Sequence, residues 1–413
     1  MTSQQLLILS VSAGNGHVRA AQALAATAQA MAPPCDATHI DAMAHFPSGF
    51  RKVYTDWYIK LVNRAPEVWS YLHQKTDTTP HSATSQRLRR GIERVSAGAL
   101  LREVHRVDPK AIVCTHFLPA ELLMREQNKG RLDCPVWLQV TDYDLHNMWI
   151  VPGMAGYLAA TDEVAMRMRA RGLASDRIHV TGIPVMPAFS QPDAPDLARD
   201  ACITRLGLDP ARKVILMVSG GAGVGDLPSM VERVLALQGP GCDFQVIAVA
   251  GRNEAAHEAL KRVSERAAGR LVAIGFTNEM ERLMAAADLV VTKPGGLTIS
   301  ECLALGKPML LVSPIPGQEE HNAGFLMEEG AAWLAYDSIG LEYKIARLMA
   351  APAQLARMAG ISRGLGKPDA AHRVLGRVLY ASSCSPAAHR RPGAVCRRGA
   401  CALARAASKT CKL

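Results

Sequence analysis

Short apolar runs recur along the chain, each followed by a stretch whose apolar residues keep helical spacing. Gln4–Ser12, Ala111–Cys114, Val136–Val140, Gly156–Thr161 and Ile178–Gly182 read as strands of a first unit. The alanine-rich stretch Val18–Met31 and Asp162–Arg171 read as helices between them. A second series repeats the alternation: Lys213–Ser219, Phe244–Ala250, Leu271–Phe276, Leu289–Thr292, Pro308–Val312 and Ala332–Ala335. Unbroken apolar strands alternating with helices belong to parallel sheets covered on both faces. The pattern therefore predicts an α/β protein of two facing, doubly wound Rossmann-like domains. The proline-rich stretch Ile183 to Pro195 reads as the linker, which divides the chain into 1–185 and 186–355. A C-terminal helix at 356–380, free to return to the first domain, and a tail at 381–413 complete it.

In such sheets ligands gather at the carboxyl ends of the strands, so the loops there carry the candidate chemistry. Leu289–Thr292 runs into Lys293-Pro294-Gly295-Gly296, and Thr298 and Ser300 lie where the next helix starts. N–H groups freed by a helix start suit a phosphate. Lys293 adds a full charge there, and Glu301, one turn on, can accept from ribose hydroxyls. The next strand ends in a stiff loop with Pro316, Gly317, Gln318, Glu319 and Asn322, whose amides and carboxylates suit sugar hydroxyls. Gly220, Gly221 and Gly223 after Lys213–Ser219 permit close backbone approach to a phosphate, or form a plain tight turn.

The first strand ends in Gly14-Asn15-Gly16-His17, without the third glycine of a dinucleotide turn. A histidine at a helix start is disfavoured as a cation, hence available as a neutral base; a capping or packing histidine is the rival. The later strand ends carry His116 and then Asp142, Asp144, His146 and Trp149. The Asp142-x-Asp144 pair stands alone and away from the phosphate loops, so no metal site is read from it.

The 413 residues are 49% apolar, enough for two to three domains, and no window reaches the ~20 apolar residues of a membrane span. The N-terminus lacks a charged region, so its apolar run reads as a strand rather than a signal peptide. The cysteines form no C-x-x-C pair, which favours reduced thiols in a cytoplasmic protein. Of the net charge of +10, seven Lys/Arg lie in the acid-free tail Ala381–Leu413. That tail is expected to be disordered, and either adds attraction to an anionic membrane or is adventitious. Between Phe46 and Tyr71, the aromatic residues Phe50, Tyr54 and Trp57 fall at helical spacing among basic ones. This suits either a core helix or docking on an anionic membrane surface.

KPGGLTISECLALGKPMLLVSPIPGQEEHNAGFLMEEGAA resembles the donor-site signature of the monogalactosyldiacylglycerol synthase and processive diacylglycerol glucosyltransferase family, relatives of the lipid II glycosyltransferase. SAGNGHVRAAQAL is similar to that family's glycine-glycine-histidine loop, and V-T-D with the following His and Trp resembles its next segment. The resemblance covers roughly residues 5 to 375. It implies a GT-B fold and inverting transfer of galactose or glucose from a UDP-sugar to diacylglycerol, at the inner face of the cell membrane. No cofactor, metal or nucleic acid is implied. Glu301 would lie on the ribose, Gly295-Gly296 near the diphosphate, Gln318-Glu319 on the hexose and the Phe276 backbone against the uracil. Gly14, Gly16, His116, His146 and Trp149 would face the acceptor, with His17 the preferred base and Asp142 its competitor or orienting partner. A UDP-sugar 2-epimerase on the same scaffold, or a non-catalytic nucleotide-sugar binder, is the alternative.

Overall fold

The structure, a computed structural model, describes residues 5–12, 14–46, 98–218 and 226–384. Gly220, Gly221 and Gly223, the residues Phe50, Tyr54 and Trp57, and the tail from 385 onward lie outside the described residues. The strands form two six-stranded sheets, all parallel. The first has the order β2-β1-β3-β4-β5-β6 and the second β12-β11-β10-β7-β8-β9. In chain order these are β1 Gln5–Ser10, β2 Asp36–Asp41, β3 Ala111–Cys114, β4 Val136–Gln139, β5 Gly156–Ala159 and β6 Ile178–Val180, then β7 Lys213–Val218, β8 Phe244–Val249, β9 Leu271–Ile274, β10 Leu289–Thr292, β11 Met309–Val312 and β12 Ala332–Ala335.

Alternation along β1 shows why the runs are apolar throughout. Leu7 and Leu9 pack into one layer with Ile112, Leu138 and Met43, while Leu6 and Ile8 pack into the other with Ala21, Leu24 and Val113. Both faces are covered, so neither side of the strand can be polar. The helix Ala370–Cys384 closes that second layer, with Ala371, Val374, Leu375 and Val378 against Leu6 and Ile8.

Two local readings change. β2, Asp-Ala-Thr-His-Ile-Asp, has no apolar run to announce it; it is a half-buried edge strand held by β1. The stretch after Ile183 is no loose spacer, because Ile183, Val185 and Phe189 are buried in the core of the second half. Phe46 likewise packs into the first core. Among the described residues no helix is long and apolar enough to cross a membrane.

Each sheet reverses its strand order at one point, between β1 and β3 in the first and between β7 and β10 in the second. The loops leaving those paired strands diverge, and the gap between them forms a binding crevice. The Gly14 loop and Thr115–Phe117 therefore become neighbours, and Lys293–Gly296 leaves β10 at the second of these points.

Candidate active site at the seam between the two halves

Gly14 enters the helix Asn15–Ala30 at φ 119, a backbone setting open to glycine, and places His17 in the first helical turn. The His17 ring is fixed by its surroundings. Nδ1 lies 2.9 Å from the Thr115 carbonyl oxygen and 2.9 Å from the Thr141 hydroxyl, while the Thr115 hydroxyl donates to the His17 carbonyl at 2.9 Å. A carbonyl only accepts, so Nδ1 carries the proton and Nε2 keeps its lone pair. Removal of the ring from water lowers its pKa to about 4, the Thr115 carbonyl opposing this, so the imidazole is neutral at pH 7.

His116 meets His17 edge-on at 4.6 Å, stacks obliquely on Phe117 at 4.1 Å, and stands 6.1 Å from Trp149. Its Nδ1 accepts the Leu118 N–H at 3.0 Å, and burial together with His17 holds its pKa well below the usual value. His146 accepts the Met148 N–H at 3.2 Å. These two histidines thus cap helical turns, and Gly16 lies in the first turn of the His17 helix.

The loop from Thr141 to Asp144 leaves β4 and lies across the helices Gly296–Ala304 and Gln318–Glu329 of the other half. A Cβ on residue 296 would stand 2.2 Å from the Thr141 carbonyl oxygen, so glycine there permits direct contact between the halves. Tyr143 stacks on Phe325 at 4.9 Å, and its hydroxyl is 2.9 Å from that of Ser300, which also donates to the Gly296 carbonyl at 2.7 Å. Asp144 pairs with His321 at 3.6 Å and Arg167 at 3.5 Å. Its carboxylate is engaged by the Arg167 guanidinium, and the two acids of Asp142-x-Asp144 have separate partners. Burial raises the pKa of Asp142 to about 6, with Asn322 opposing the shift and Asp144 adding to it.

On the donor side Glu301 is 8% exposed, and among the described residues no protein donor reaches its carboxylate. Burial lifts its pKa to about 7, Arg19 opposing and Glu281 adding to the shift. A buried carboxylate with no donor among the described residues is a site that two ribose hydroxyls would satisfy. Lys293 is half-buried, its pKa lowered by desolvation and supported by Glu319. Glu319 in turn accepts the Ile315 N–H at 2.8 Å, which ties the proline loop to its helix and leaves one oxygen facing Gly295. Gly295, Gly296 and Thr298 form the helix start as expected, and Pro316, Gly317 and Gln318 form the next one. Phe276, 58% exposed after β9, carries the Arg252 guanidinium 4.9 Å over its ring.

One expectation needs correction. Asn322, read as a sugar contact, is fully buried, and its amide bonds to Tyr143, Pro294 and Asp142 rather than facing the crevice. Gly296 stays at the helix start, and the space its missing side chain would take is filled by the Thr141 carbonyl. The residues missed are Tyr143, Phe325 and Arg19. Tyr143 had a signal: an aromatic residue flanked by two acids in a loop needs cover, and the other half supplies it.

Residues 17–185 match the family model described as monogalactosyldiacylglycerol (MGDG) synthase, and residues 214–374 that of the glycosyltransferase family 28 C-terminal domain. A processive diacylglycerol beta-glucosyltransferase of Bacillus pumilus is 31% identical over 226 residues, 54% of this chain and 56% of that protein. The chain thus spans about half the length of this curated relative. Among solved structures, MurG of Acinetobacter baumannii is similar with a TM-score of 0.58 at 18% identity, covering 91% of this chain and 99% of that one. A UDP-GlcNAc 2-epimerase from Neisseria meningitidis, bound to UDP-GlcNAc, follows at a TM-score of 0.57 and 13% identity, with 91% and 99% covered. These structures share the fold, which is of the GT-B type.

Proposed function

We propose, for a chain that belongs to the monogalactosyldiacylglycerol synthase and family 28 glycosyltransferase group, that it transfers a hexose from a UDP-sugar to diacylglycerol with inversion at the anomeric carbon. The observation that carries this reading is the seam. The loop bearing Asp142, anchored beside His17, lies directly on the starts of the two donor-side helices, so proton acceptor and donor cradle share one crevice.

In this reading Glu301 holds the ribose, and Lys293 and the Gly295–Gly296 helix start meet the diphosphate. Gln318 and the remaining oxygen of Glu319 take the hexose hydroxyls. The acceptor hydroxyl oxygen forms a bond to the anomeric carbon as the bond from that carbon to the diphosphate oxygen breaks. UDP carries away the electron pair, and the hydroxyl proton passes to a base. A base works best with a pKa near the working pH. Asp142, on the loop that lies over the donor-side helices and is held to them by Asn322, takes the proton in this reading; its pKa, raised by burial to about 6, supports this choice over His17, lowered to about 4. His17, neutral with Nε2 free, accepts a hydrogen bond from the acceptor and orients it.

Galactose and glucose both remain donors in this account. The acceptor is drawn from the anionic inner face of the membrane, where the protein sits peripherally; Phe50, Tyr54 and Trp57 among basic residues support this. An epimerase would share the fold but needs no lipid, and the synthase family match favours transfer. The test is acceptor dependence: UDP should be released from UDP-glucose or UDP-galactose when diacylglycerol vesicles are present and not without them. Turnover that ignores diacylglycerol would refute the reading.

A further inference from the structure

We propose that Asn322 is a positioning residue, holding the carboxylate of Asp142 in place from across the seam. This rests on the reading of Asp142 as the base. Asn322 comes from the Gln318–Glu329 helix, yet its side chain is spent on the acceptor-side loop and on one neighbouring turn. Its Oδ1 accepts the Tyr143 N–H at 2.8 Å. Its Nδ2 donates to the Pro294 carbonyl at 3.1 Å and to Asp142 Oδ1 at 3.4 Å. The amide has one possible orientation, since only its oxygen can accept from a backbone N–H and only its nitrogen can donate to a carbonyl. At 0% exposure it offers nothing to a sugar in the crevice.

The consequence is mechanical. Pro294 precedes the donor-side glycine turn, and Tyr143 follows Asp142, so one amide ties the donor turn, the acceptor loop and the base together. A shift of the donor half relative to the acceptor half moves Asp142 with it. The charged groups around Asp142 make this donor matter. Asp144 on the same loop opposes ionisation, although Arg167 and His321 engage it. Glu319, on the helix of Asn322, acts on Asp142 as a like charge, balanced in part by Lys293. His17 reaches the loop through the Thr141 hydroxyl. Against two carboxylates, the Asn322 N–H is the hydrogen bond that favours the ionised, proton-accepting form of Asp142.

The experiment measures kcat and KM for UDP-glucose and UDP-galactose, with diacylglycerol vesicles, across pH for the parent, Asn322→Ala, Asn322→Asp and Asp142→Asn. In Asn322→Ala we expect kcat to fall by roughly tenfold, the equivalent of one charged hydrogen bond. The acid limb of kcat should move to higher pH, with KM for the donor little changed. Should that variant fail to fold, Asn322→Asp keeps the size and the bond from Tyr143 while replacing the donor with a third carboxylate; the limb should then move further. An acid limb that stays in place in both variants, or a KM effect without a limb shift, overturns the proposal and returns Asn322 to the sugar. The reading beneath it fails separately: an acid limb that survives unchanged in Asp142→Asn shows that Asp142 is not the base.

Discussion

The Thr141 carbonyl oxygen occupies the space where a side chain on residue 296 would begin, 2.2 Å from its ideal Cβ. The two halves of the molecule therefore touch, backbone to backbone, at the glycine turn expected to face the donor. Gly296→Ala should force them apart. Overpacking of this kind costs about 1–3 kcal/mol, and displacing reacting groups by about 1 Å can lower turnover roughly 10²-fold. We expect a lower melting temperature and slow transfer, with UDP affinity largely kept because the donor half is intact. Normal turnover in Gly296→Ala would show that the seam does not set the reacting geometry.

Glu301 makes UDP binding pH-dependent. Its pKa is raised to about 7 by burial, and only the ionised form accepts from both ribose hydroxyls. UDP affinity should thus be full above that pH and fall as pH drops through about 7, approaching tenfold per unit. Glu301→Gln should flatten this dependence, and Glu301→Ala should weaken UDP by about 1.5–3 kcal/mol. Calorimetric titration of UDP at several pH values reads both. A flat profile in the parent would remove Glu301 from the ribose.

The rate profile separates the two candidate bases. Because a base must be ionised or neutral to accept a proton, activity is present above its pKa and lost below it. With Asp142 as base, kcat falls as pH drops through about 6; with His17 it would persist to about 4. Asp142→Asn should cost about 10²–10⁴ in turnover, the usual contribution of a general base. His17→Ala should cost less and leave the limb near 6. The opposite ranking would make His17 the base.

Gln318→Ala should spare UDP itself and weaken UDP-hexose, since Gln318 opens the helix next to the hexose in this account. Equal losses for the two ligands, measured by the same titration, would contradict a sugar contact.

The strands and crevice loops were legible because their causes are local. Buried parallel strands must be apolar on both faces, and a glycine turn before a helix shows in a few residues, so Leu289–Thr292 and the helix starting at Gly296 could be read from the chain. β2 was not legible, because an edge strand half-open to solvent keeps polar residues and takes its register from β1. The role of Asn322 was not legible either. It lies on a helix whose other polar residues point to a ligand, and its partner Tyr143 is 179 residues away in sequence. Which way its amide turns depends on how the halves meet, and no local pattern encodes that. The same holds for the stretch after Ile183, whose prolines indicate a linker but whose Val185 and Phe189 complete a core.

The most direct test of the account is the product. The protein, incubated with UDP-glucose or UDP-galactose and diacylglycerol vesicles, should yield UDP and hexosyl-diacylglycerol in equal amounts. Proton NMR of the isolated glycolipid should show a β-linked sugar, inverted from the α-linked donor. An α-linked product would contradict the single displacement at the seam. A UDP-hexose that is epimerised or left intact, with no glycolipid formed, would contradict the transfer itself.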